Sequence, residues 1–286
     1  MSVLEKVEQS PFVYFGFNPS EETPDNPWAA TAIICTSEDG IHWIPVKEFP
    51  ELGNFRDGNI AKIGDEYWLI GTFAIYRTKD FESFDYFSLN EIIKPNYTEI
   101  WAPEFVQDRN TGDWKIVYVA NNNGIRRIYF ADFNPQTGEV TNPYQGTNVI
   151  GEIDPTIHYI NGQYLMITSG HFFVSDELQG HYVPLYTNIY NHNANWFEAP
   201  ELLIAGNKAF FYQDKIYEKT PGVADTGDMV FAEANSEDLT RWTDNQLVDC
   251  PINMRHGSFL YNYTLPSREE YFPNIKPDSS LGTKVI

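Results

Sequence analysis

The stretch Trp196 to Leu203 reads WFEAPELL, in which an acid, a small residue and proline lead into an apolar run that ends at a Gly206-Asn207 turn. Such a segment suits a β-strand with a carboxylate at its mouth, because the apolar run can be buried while the acid stays at the strand end. Three further segments open in a similar way: RDGNI with Asp57, WAPEF with Glu104 and IDPTI with Asp154. A unit recurring about every 45 to 55 residues is the signature of a propeller-type repeat, and such a repeat brings its strand starts to one place.

Each unit continues with the same parts. DGNIAKIGDEYWLIGT is followed by YRTKDFESFDYF, WAPEFVQDRNTGDWKIVYVA by RRIYFADFNPQTGEV, IDPTIHYINGQYLMITSG by HFFVSDELQGHYV, and FEAPELLIAGNKAFFYQD by MVFAEANSEDLTRWT. Polar turns at Gly64-Asp65, Thr111-Gly112-Asp113, Asn161-Gly162 and Gly206-Asn207 join the apolar runs as hairpin loops do. Period-two alternation is imperfect, as expected for strands packed on both faces. A fifth opening, MRHGSFL from Met254, lacks its own later strands. PFVYFGF at 11–17 and TAIICTSEDGIHWIPV at 31–46 supply them, and SEDGIHW echoes SEDLTRW at 236–242.

The expected fold is therefore all-β, a five-bladed β-propeller forming a single domain over 1–286, in which the N-terminal strands complete the C-terminal blade and leave no sheet edge open. Residues 18–28, NPSEETPDNPW, read as a surface loop, with Trp28 either over a pocket mouth or packed on its rim. A second loop is expected at 216–227, and a polar surface tail at 274–286.

Composition narrows the partners. The 40 acidic and 19 basic residues give a formal charge of −21, which disfavours a nucleic acid, since backbone phosphates attract Lys and Arg. No apolar run approaches the roughly 18 residues of a membrane span, so no membrane partner is expected. The start MSVLEKVEQSPFVYF does not read as a secretory signal, which leads to an expected cytoplasmic location. The two cysteines, Cys35 and Cys250, lie far apart without metal-ligand spacing and read as free thiols.

Asp57, Asp154 and Glu198 all sit at expected strand mouths. Three carboxylates gathered in a partly enclosed site repel one another, so at least one keeps its proton near neutral pH. A protonated acid beside an ionised carboxylate is what glycoside hydrolysis requires. Taken singly, an Asp before Pro or Gly is a common turn residue, and the case rests on recurrence. Glu104 and Glu201 compete as acids; Glu201 lies an odd number of residues from Glu198, which in a regular strand sends it to the opposite face. Trp101, Phe73 and Trp196 lie beside the mouths, where each can stack on a sugar ring or pack between blades. Arg255 can hold a sugar hydroxyl, pair with a triad carboxylate, or form a buried ion pair.

The order RDG at 56–58, WAPE at 101–104, IDPT at 153–156, FEAPEL at 197–202 and RHGS at 255–258 resembles glycoside hydrolase family 43, the five-bladed propeller arabinofuranosidases, xylosidases and arabinanases. The resemblance implies that Asp57 is the general base, Glu198 the general acid and Asp154 the carboxylate that orients the acid and raises its pKa. It also implies inversion of configuration, with the two acting carboxyls roughly 6.5 to 9.5 Å apart. His256 falls where the family often has a histidine associated with a cation, so calcium is expected near the axis although no cofactor is required for the chemistry. The implied substrate is a short plant-derived oligosaccharide carrying arabinofuranosyl or xylosyl units; the alternative is a non-catalytic carbohydrate-binding propeller. Two departures stand out: Gly58 follows Asp57 where the family has Pro, and Ala199 follows Glu198 where Gly is frequent.

Overall fold

The computed structural model describes residues 1–19, 26, 29–92, 97–169, 171–189, 197–217 and 226–262. After a short helix, α1 (Val3–Gln9), come β1 (Phe12–Asn18), β2 (Thr31–Ser37) and β3 (Trp43–Phe49). Blade 1 is β4 (Asn59–Ile63), β5 (Glu66–Ile70), β6 (Ile75–Thr78) and β7 (Asp85–Phe87). Blade 2 is β8 (Tyr97–Gln107), β9 (Trp114–Asn122), β10 (Ile125–Asn134) and β11 (Glu139–Ile150). Blade 3 is β12 (Thr156–Ile160), β13 (Gln163–Ile167), β14 (Phe172–Ser175) and β15 (Val183–Leu185). Blade 4 is β16 (Phe197–Ala205), β17 (Lys208–Tyr217), β18 (Thr226–Asn235) and β19 (Gln246–Leu247). The last strand, β20 (Arg255–Tyr261), pairs antiparallel with β1 in a sheet ordered β20-β1-β2-β3, the closing blade.

The five-bladed all-β propeller read from the sequence is therefore the fold observed, with the N-terminal strands completing the last blade. Its core is divided into five clusters, each shared by two adjacent blades. In β17, Phe210 and Tyr212 pack toward the closing blade while Ala209 and Phe211 pack toward blade 3. In β9, Ile116 and Tyr118 face blade 1 while Val117 and Val119 face blade 3. Side chains alternate across each strand, yet both faces meet a neighbour, so the inner strands are apolar throughout. The same arrangement explains the weak period-two signal in the sequence.

Hairpins close as expected. Asn161 and Gly162 both take positive φ, 52° and 85°, the requirement of a type I′ turn. Two details differ from the sequence reading. Helix α1 was not foreseen, although Ser2 and Glu5 form a reciprocal capping box, with Glu5 N–H donating to Ser2 Oγ at 3.1 Å and Ser2 N–H donating to Glu5 Oε2 at 2.7 Å. The expected loop at 216–227 is shorter, because Ile216 pairs with Gly227 and Tyr217 with Thr226 in the β17-β18 ladder. The expected features at Trp28, Trp196 and 274–286 lie outside the described residues.

Candidate active site

Each blade holds one non-glycine residue in the left-handed region within or just before its inner strand. These are Asp57 (φ 56°), Ala102 (48°), Asp154 (52°), Ala199 (51°) and His256 (34°), each followed by Gly or Pro. A non-glycine residue held there costs on the order of 1 to 3 kcal/mol, so the surrounding structure must enforce it. The residue two places later is polar and buried in all five blades: Asn59, Glu104, Thr156, Glu201 and Ser258. These buried groups link blades. Ile60 N–H donates to Ser258 Oγ at 2.8 Å and Phe105 N–H to Asn59 Oδ1 at 3.1 Å. Glu201 accepts from the Thr156 hydroxyl at 3.3 Å and lies 3.0 Å from His158 Nε2.

The acids consequently do not all occupy one point of the repeat, as the sequence reading had them. Asp57 and Asp154 are the left-handed pivots of blades 1 and 3, whereas Glu198 stands one residue before the pivot of blade 4. Its register explains how it still reaches the same region. Glu198 pairs with Asp214 and Glu201 with Tyr212, so three steps on β16 match two on β17 across a bulge at Ala199. Because of that extra residue, Glu198 and Glu201 fall on the same side of the sheet by register, and the odd-spacing argument against Glu201 does not hold. Burial and its ties to Thr156 and His158 are what make Glu201 a packing residue.

Asp57 is buried and gripped from two sides. His256 Nδ1 lies 3.1 Å from Asp57 Oδ1, and the Thr72 hydroxyl donates a short hydrogen bond to Oδ2. Burial alone would raise its pKa, but the His256 charge and hydrogen bond, Arg56 and Thr72 outweigh it and hold the carboxyl well below the usual range. Asp154 accepts from Ser169 Oγ at 3.0 Å and from the Ala199 N–H at 3.1 Å. Its pKa is raised, by burial first and by the Asp57 charge, against the pull of His256. Glu198 is raised to about 7 by burial, then by the charges of Asp154 and Asp214, with Arg255 and His256 opposing. His256, despite burial, is raised to about 10 by Asp57, Asp154 and Asp214.

The cluster thus holds one carboxylate fixed in its ionised form, one acid that carries its proton near neutrality, and a third whose pKa is also raised. Thr72 and Ser169 were missed in the sequence, yet a signal exists: each hydroxyl stands 15 residues after the Asp it contacts, in equivalent loops of blades 1 and 3. Asp214 was missed for a different reason. Counting outward from the Gly206-Asn207 turn in a regular hairpin places Lys215 opposite Glu198, and only the bulge moves Asp214 there.

Asp214 is fully buried and accepts from Arg255 Nε at 2.7 Å and from the His256 N–H at 3.1 Å through the same oxygen. Of the three readings given for Arg255, this is the buried ion pair. Phe73 follows Thr72 directly and is 58% exposed, an aromatic surface next to Asp57's hydrogen-bond partner. Trp101 is half-buried against the cluster between blades 2 and 3.

The donor set around His256 does not suit a directly bound cation. Its Nδ1 is engaged by Asp57 Oδ1 at 3.1 Å, which takes that nitrogen away from a metal. Among the described residues no group of three or more His, Cys, Asp or Glu side chains is placed to hold a metal. Gly58, the departure from the family pattern, has a positive reason. Its N–H donates to the His256 carbonyl at 3.0 Å, a bond proline cannot make, and a Cβ there would meet Gly16 Cα at 2.9 Å.

No family model matches this sequence, and no curated protein matches it. Solved structures match the fold. A family 43 glycoside hydrolase of Bacillus licheniformis has a TM-score of 0.52 at 17% identity, over 69% of this chain and 41% of that one. An α-L-arabinofuranosidase of Lactobacillus brevis has a TM-score of 0.50 at 16% identity, over 77% and 88%. An inulosucrase of Halalkalicoccus jeotgali, solved with kestose bound, has a TM-score of 0.55 at 16% identity, over 85% and 84%. The match spans less than half the length of the Bacillus licheniformis protein. These likenesses are of fold: the chain has the five-bladed propeller of family 43 structures, as the motif order suggested.

Proposed function

We propose that this protein is a glycosidase that hydrolyses O-glycosyl bonds, with Glu198 as proton donor, Asp57 as the base that activates water and Asp154 as the group that orients and tunes the donor. The observation that carries the reading is the pairing of an acid raised to about 7 with a carboxylate held ionised in the same cluster. Protonation of the leaving oxygen by Glu198 and deprotonation of water by Asp57 are the two proton transfers an inverting displacement needs. Asp154 supports the first transfer in two ways. Its charge raises Glu198, and its Oδ2 accepts from the N–H of Ala199, the residue after the donor, which fixes the backbone that carries it.

The fold neighbours favour a carbohydrate ligand, since the Halalkalicoccus protein was solved with kestose and the Lactobacillus protein is an arabinofuranosidase. We assign exo action on arabinofuranosyl or xylosyl units of short oligosaccharides, with Phe73 as a stacking surface. The test is a panel of aryl pentosides and plant-derived oligosaccharides, with product anomers followed by proton NMR. Release of the inverted anomer, lost in Asp57→Asn and Glu198→Gln, is expected. Retention would make Asp57 a nucleophile, and inertness across the panel together with calorimetric sugar binding would establish a binding propeller instead.

A further inference from the structure

The closing blade brings the two cysteines of this chain together. Cys35 lies on β2 with its side chain in the cluster between the closing blade and blade 4, and Cys250, on the connection from β19 to β20, packs on the same cluster. Each thiol acts on the other's titration, as close neighbours do. The connection that carries Cys250 is itself stitched to the closing blade: Trp43 N–H donates to the Asp249 carbonyl at 2.8 Å and Asp249 N–H to the Ile41 carbonyl at 3.2 Å. Backbone and side chains therefore hold the sulfurs in register.

The two thiols are unequal in access. Cys250 is partly exposed and, with Asp228, Met229, Val248 and Met254, lines an open cavity of about 310 Å³. Cys35 is completely buried. An accessible thiol backed by a buried one is the arrangement of an attacking and a resolving cysteine.

We propose that Cys35 and Cys250 form a reversible disulfide site that, when oxidised by a small-molecule disulfide, covalently closes the propeller ring. The Cys250 thiolate attacks one sulfur of the small disulfide, forming a mixed disulfide and releasing the first small thiolate. The Cys35 thiol then gives up its proton and attacks Cys250 Sγ, and the second small thiolate leaves and takes that proton. Two protein thiols are oxidised and one small disulfide is reduced to two thiols. The order of attack follows from access, since Cys250 lines the cavity and Cys35 is buried. Interaction with Cys35 holds Cys250 below the usual thiol range against its burial, with help from the Ile252 N–H, and the same interaction together with burial pushes Cys35 far above that range.

The cross-link encloses residues 35–250, about three quarters of the chain, so its effect falls on the unfolded state, whose freedom it restricts. The test incubates the full-length protein with oxidised glutathione. The expected result is an intact mass lower by two hydrogens, no free thiol, no interchain bond, and a thermal midpoint higher by roughly 5 to 10 °C that reverses on reduction. Cys35→Ser is expected to trap a stable glutathione adduct on Cys250, and Cys250→Ser to take up none. Free thiols persisting in the wild-type protein, a stable adduct on it, or an interchain disulfide would each overturn the proposal. If either variant fails to fold, the wild-type mass and thiol count decide alone.

Discussion

Glu198 carries the sharpest consequence at the scale of a residue. With its carboxyl raised to about 7 and Asp57 held ionised far into acid, activity should stay level through mildly acidic pH and fall as pH rises through about 7. Glu198→Gln should lower kcat on natural glycosides by roughly 100-fold to 10,000-fold and abolish that alkaline limb, while aryl glycosides with good leaving groups lose less. A rate–pH series on both substrate types checks this. Asp214 bears on stability as well as on the acid. It pairs with Arg255 at full burial, so Asp214→Asn should cost about 3 to 5 kcal/mol in urea unfolding, because it removes the carboxylate that lies 2.7 Å from a buried guanidinium. Asp57, Asp154 and Glu198 were legible as a group because each opens a repeat. Asp214 was not, since a bulge resets its register and no residue pattern in FFYQDK announces one.

At the scale of the element, the openings of the blades are where sequence and structure part most clearly. The repeat and its hairpins could be read because apolar runs and Gly-containing turns recur in order. The left-handed pivot could not, because the five pairs, Asp-Gly, Ala-Pro, Asp-Pro, Ala-Pro and His-Gly, share a backbone shape rather than a residue type. Gly58 shows what that shape demands. A methyl group there would sit 2.9 Å from Gly16 Cα and 3.3 Å from the Phe15 ring, so Gly58→Ala should destabilise by about 1 to 3 kcal/mol in chemical unfolding. Helix α1, at seven residues, is too short to show an apolar stripe, and only the Ser2–Glu5 capping box marks it in the sequence.

For the whole molecule, the acidic balance and the buried site set the dependence of stability on pH. His256 moves from its ordinary 6.5 to about 10 on folding, so the folded state binds its proton more tightly. The stability it contributes is fully present below pH 6.5 and is lost as pH rises toward 10. Glu198, raised from 4.5 to about 7, acts in the same direction between those values. The thermal midpoint should therefore decline from weakly acidic to alkaline pH, and His256→Asn should flatten the upper part of that decline. Calorimetric scans across the range check both.

The closing blade also sets a timetable. Phe12–Asn18 is made first, but the inner strand it must pair with, Arg255–Tyr261, is made after all the other strands. While the ribosome works through four blades, β1 keeps one flank unpaired, and contacts so distant in sequence form slowly. Until Arg255–Tyr261 has been made, Asp57 lacks His256, so the charge arrangement at the axis is completed only after the four intervening blades.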